Sequence, residues 1–135
     1  MSYNISDIEG IGAAYAAKLN TQKIFNTEDL LEICGKKNGR ESVASATSIS
    51  EGLLLTWVNH ADLMRVKGVA GQFSELLEAA GVDTVKELAQ RNAENLHATM
   101  LSTNDKEGLS GRVPSAPALQ AMIDEAKSFD QKVFH

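Results

Sequence analysis

Ile8-Glu9-Gly10-Ile11-Gly12-Ala13-Ala14-Tyr15-Ala16-Ala17-Lys18-Leu19 recurs as Val66-Lys67-Gly68-Val69-Ala70-Gly71-Gln72-Phe73-Ser74-Glu75-Leu76-Leu77, without a gap, at an offset of 58 residues. The same offset pairs Ile24 with Val82 and Leu30 with Leu88. Gly10 and Gly68 stand where a glycine past a helix end can take the left-handed conformation that reverses the chain. Ile11 and Val69 follow as apolar plugs, and Ala13, Ala16 and Ala17 allow close helix packing. Each unit therefore reads as helix, tight glycine hairpin, helix, short loop, helix.

Working outward, the helix signals are local. Residues 2–8 are expected to form a short entry turn or helix with Ile5 and Ile8 on its apolar side. Asn26 or Thr27 caps a helix whose stripe is Leu30, Leu31 and Ile33, with Glu28 and Asp29 at its positive end. Lys36-Lys37-Asn38-Gly39-Arg40 is polar enough to read as a loop, followed by a short helix over residues 40–47. Ser50 opens the strongest helix, with Leu53, Leu54, Trp57, Val58, Ala61 and Met64 at helical spacing. This helix runs straight into the second hairpin.

Further helices are expected over 71–80, 85–91, from Ala93 to about Asn104, and from the Ser115 cap through Phe129. The third of these is expected to be buried through Leu96, Met100 and Leu101. Thr84 with Glu87 makes a capping box. Gly108, Gly111 and Pro114 mark a loop over 105–115, and residues 131–135 are expected to fray. The expected fold is all-α and a single domain over 1–135. It divides into a first hairpin unit (1–34), connecting helices (35–64), a second unit (65–92) and C-terminal helices (93–135).

Composition narrows the function classes. The chain has 135 residues, 43% hydrophobic and 23% charged, which suits one soluble core. No apolar run approaches the roughly 18 residues of a membrane span. The N-terminal residues carry no secretory pattern, and Cys34 is the only cysteine, so a reducing cytoplasm is expected. The net charge of −5 is the wrong sign overall for a phosphate binder, yet residues 35–69 carry Lys36, Lys37, Arg40, Arg65 and Lys67 against three acids. That excess reads either as a solvated surface or as a functional patch.

At Gly10-Ile11-Gly12, with Ala16 four residues on, the chain resembles the helix-hairpin-helix motif. The duplicated arrangement resembles tandem helix-hairpin-helix domains and an uncharacterised bacterial family with a domain-of-unknown-function label. The likeness rests also on residues 61–69, on Ala80-Gly81-Val82-Asp83-Thr84-Val85-Lys86-Glu87-Leu88 and on Arg112-Val113-Pro114-Ser115, and covers most of residues 5–126. The resemblance implies DNA binding without sequence preference, through hairpin amides that point at phosphate oxygens. The implied donors are the amides of Gly10, Ile11, Gly12 and Ala13, and those of Gly68, Val69, Ala70 and Gly71. Arg65 and Lys67 would supply charge, joined by Lys36, Lys37 and Arg40. Two departures stand against it. Asp7 and Glu9 flank the first hairpin, and Ala70 replaces a glycine in the second. The alternative is a protein-interaction or assembly module in which both hairpins only close helix pairs.

Enzyme chemistry finds little support. His60, His97 and His135 show no metal-ligand spacing, and Cys34 has no cysteine partner, so neither metal nor cofactor is expected. His60 and Asp62 fall on different helix faces. Gly10-x-Gly12 lacks a third glycine, and residues 35–40 do not end as a phosphate-binding loop must. No serine, threonine or aspartate is placed by sequence beside a credible base. A non-catalytic protein is the expectation.

Overall fold

A computed structural model describes residues 2–109 and 112–135. The described residues are all-helical. After a 3-10 turn at Ile5–Asp7 come α1 (Ala13–Thr21), α2 (Thr27–Cys34), α3 (Lys37–Thr47) and α4 (Glu51–Leu63). These are followed by α5 (Gly71–Ala79), α6 (Val85–Ala89), α7 (Ala93–Glu107) and α8 (Ala116–Ala126). The expected caps form. Side chains of Asn26, Ser50, Thr84, Asn92 and Ser115 each accept from the amide three residues on, satisfying donors that the first helical turn leaves open.

The repeat holds at the level of single hydrogen bonds. Helices α1 and α5 begin and end at the 58-residue offset. In the first unit the Ile8 amide donates to Ile5 O and the Ile11 amide to Ile8 O; in the second, Val66 donates to Leu63 O and Val69 to Val66 O. The Phe25 amide donates to Asp29 Oδ2 (3.0 Å) and its counterpart Asp83 to Glu87 Oε2 (2.8 Å). Gly10 and Gly68 take φ of +92° and +88°. Each turn lies over an apolar layer, the Gly10 Cα facing the Trp57 indole and that of Gly68 facing the Met122 methyl. Ile11 and Val69 are buried beneath.

Two hydrophobic clusters result. The first holds Ile5, Ile8, Leu19, Ile24, Leu30 and Trp57, with Tyr15 packed edge-on against the indole. The second holds Val66, Leu76, Leu77, Val82, Leu88 and Ile123. Helix α4 serves both, burying Leu54, Trp57, Val58, Ala61 and Met64 in the first and Leu63 in the second.

Four sequence expectations need correction. Residues 37–40, expected as part of a loop, are helical, because α3 starts at Lys37 and crosses the end of α2 where Gly39 passes against the Ile33 carbonyl. Leu101 is exposed, since α7 turns Leu96 and Met100 inward and Leu101 falls outside that stripe. Helix α7 continues to Glu107, ending at left-handed Gly108, and α8 stops at Ala126; Gly111 lies outside the described residues. The terminal segment does not fray. After α8 the chain leaves the second cluster at Phe129 and returns to the first, where Val133 is 4% exposed. There the Phe134 amide donates to Gly35 O at 2.8 Å.

Symmetry supplies a stability test. Lys23 occupies the left-handed position that Gly81 fills in the second unit, with φ of +63° and +95°. A side chain there costs about 1–2 kcal/mol. Gly81→Ala is expected to lower unfolding free energy in urea by about 1 kcal/mol or more. Lys23→Gly is expected to raise it by up to about 1 kcal/mol.

Candidate functional site

The elements place the predicted nucleic-acid residues in three different environments. Helix α3 turns Arg40 inward. Its guanidinium is 3% exposed and donates to Cys34 O and Gly35 O, both at 2.9 Å, and to Phe134 O at 2.7 Å. Cys34 closes α2, whose last carbonyls lack partners within the helix, and Gly35 O accepts the Phe134 amide as well. Lys36 and Lys37, at the start of α3, are exposed, with the Lys36 ammonium 6.0 Å from the centre of the Phe134 ring.

Arg65 and Lys67 flank the second turn; the Arg65 side chain and the Lys67 amide meet the chain's own acceptors, while the Lys67 side chain is exposed. Arg65 Nη1 pairs with Asp62 Oδ1 at 2.8 Å and donates to Asp130 O at 2.9 Å, and its guanidinium lies over the Phe129 ring at 4.8 Å. The Lys67 amide donates to Glu125 Oε1 at 3.0 Å. The amides of Ile11 and Val69 are spent inside their own turns. Gly10, Gly12, Gly68 and Ala70 are exposed, and Gly71 opens α5. Neither Gly12 nor Ala70 provides a side-chain cap, so the first-turn amides of α1 and α5, Ala13 and Gly71 included, receive none.

The two turns lie close together. Asp7 and Glu9 of the first line one depression of about 500 Å³ with Gly68, Ala70 and Gln72 of the second. A second depression, of about 460 Å³, is lined by Glu9, His60, Glu75, Glu78 and Glu107. The field a phosphate would meet at either turn is therefore set by carboxylates as well as amides.

The structure adds a cluster that sequence reading missed. His60 on α4 pairs through Nε2 with Glu78 Oε2 on α5, and its Nδ1 lies 3.3 Å from Ser74 Oγ. A serine does stand beside a base, contrary to the sequence expectation. Ser74 and His60 are buried, and the cluster joins α4 to α5. Ser74 and Glu78 fall one turn apart on α5, the only local signal for the set. Asp62 behaves as the separate helix face implied. Its Oδ2 accepts the Val85 amide at 2.9 Å.

Two groups titrate away from their usual range. Burial pushes the Cys34 thiol up to about 11, against a lowering pull from Arg40. Burial and then the neighbouring Glu87 and Glu78 carboxylates raise Asp83. Among the described residues no His, Cys, Asp and Glu group is arranged to hold a metal ion.

Two measurements follow. Arg40→Met should cost about 2–4 kcal/mol of stability by leaving buried carbonyls unpaired, whereas Lys36→Ala should stay within about 0.5 kcal/mol. Denaturant titration of both variants checks the contrast. The raised Cys34 pKa makes the folded thiol harder to ionise than the unfolded one, for which the reference is 9.0. Its contribution is full below that value and is lost as pH rises through about 11. At pH near 8 the native thiol should resist a disulfide reagent that labels the unfolded chain.

No curated protein and no solved structure matches the chain. A family model does, over residues 9–129, a span that takes in both glycine turns, Arg40, the Ser74–His60–Glu78 cluster and Phe129. The chain belongs to the family described as Domain of unknown function (DUF4332).

Proposed function

We propose that this chain is a non-enzymatic, cytoplasmic tandem helix-hairpin-helix module that works by protein interaction or assembly, with both hairpins used for packing. One observation carries the reading. At the second hairpin Arg65 is engaged by Asp62 and the Asp130 carbonyl and the Lys67 amide by Glu125, which leaves the exposed Lys67 side chain as the charge beside the turn. Arg40, the intended partner in charge, is buried on three carbonyls. With Arg40 and Arg65 engaged, the second hairpin offers less of the counterion release that drives DNA association. The overall charge of −5 and the exposed Asp7 and Glu9 beside the hairpins favour a protein partner over a polyanion.

A second reading, DNA binding without sequence preference, draws on the first-turn amides of α1 and α5, which lack side-chain caps. Fluorescence anisotropy with labelled duplex and single-stranded oligonucleotides at low salt separates the two. The interaction reading expects no salt-sensitive binding. Binding that weakens steeply with salt and is lost in the Arg65→Glu, Lys67→Glu double variant would establish the second reading instead. The interaction reading also expects a stable oligomer by light scattering or a partner enriched in pull-down. A monomer with neither would sink it.

A further inference from the structure

We infer that residues 130–135 form a detachable latch that closes the first unit onto the second, seated on the corner between α2 and α3. The segment starts from the second unit, where Arg65 holds the Asp130 carbonyl, and ends on the first, where Arg40 holds the Phe134 carbonyl across 94 residues of sequence. Between these ties Val133 is the one side chain in the segment that is buried; Asp130, Gln131, Lys132, Phe134 and His135 are exposed. The seat is shaped for a backbone. Gly35 lies against the Lys132 carbonyl, where a Cβ would collide, and its own carbonyl accepts the Phe134 amide.

The hold is small for what it orders. One aliphatic side chain, the Phe134 amide, two accepted carbonyls and the Lys36 ammonium 6.0 Å from the Phe134 ring restrain six residues without helix or strand of their own. Ordering an extended segment opposes that hold directly. Such a segment opens locally, below the free energy of global unfolding. Opening loosens the corner without dismantling it: Arg40 keeps its bonds to Cys34 O and Gly35 O but loses Phe134 O, and Gly35 O loses the Phe134 amide. It uncovers the Val133 seat and one face of the Arg40 guanidinium beside exposed Lys36 and Lys37. The second cluster is unaffected, since Phe129 precedes the segment. The inference stands independently of whether the partner is protein or DNA.

Native-state hydrogen exchange on the full chain tests it. The Phe134 amide should exchange at least about tenfold faster than the core amides of α4. Val133→Asp should speed exchange at residues 34–44 by at least about tenfold while leaving α5–α8 unchanged. Phe134→Pro, which removes the donor to Gly35 without placing a charge in the core, should do the same. The latch is refuted if wild-type Phe134 exchanges only with global unfolding. It is equally refuted if both variants leave residues 34–44 unchanged, or if both unfold the second unit along with the first.

Discussion

Helix α4 buries Trp57 and Val58 in one hydrophobic cluster and Leu63 in the other, and the second unit is built from the end of the helix that completes the first. The first glycine turn is entered from a 3-10 turn, and the Tyr3 carbonyl just before it accepts the Thr27 amide. In the second unit the counterpart of Tyr3 is Ala61, inside α4, whose carbonyl direction belongs to the helix. The equivalent amide, Val85, is instead received by the Asp62 carboxylate. A buried carboxylate then requires a cation, and Arg65 supplies it. Arg65, expected from the sequence to supply charge at the second hairpin, thus also answers a demand set by fusing two units through one continuous helix.

The same logic extends to Arg40. A helix end leaves carbonyls without partners, and where α2 stops against α3 those carbonyls are shielded from water. Arginine suits this position because its planar fork can serve several acceptors at once. The electrostatic surface that remains is shaped by acids near the turns and by lysines at the start of α3. Arg40 and Asp62, the buried charges, hold the fold from inside.

Much of this was legible in the residues. The 58-residue offset, the apolar plugs and the Asn, Ser and Thr caps are local signals, decided within one turn of helix, and they reappear in the structure bond for bond. The apolar stripe of α4 marked Trp57 as core, where it lies. What sequence misplaced depends on contacts between distant segments. Polar residues 36–40 read as a loop because nothing nearby shows that Arg40 has buried carbonyls to satisfy. His60 and Ser74 looked unrelated because fourteen residues and a glycine turn separate them. The terminal segment read as frayed because one valine among polar neighbours carries no periodicity.

By itself the sequence determined the all-α class, the duplicated register and the positions of the turns, since helix propensity, capping and left-handed glycine are properties of a few adjacent residues. Only the tertiary structure decided which charges face water. That choice depends on where helix ends leave unpaired carbonyls and on which segment returns to cover them. Arg40, Arg65 and the Val133 segment were assigned by those long-range demands, and the predicted basic patch was divided by them.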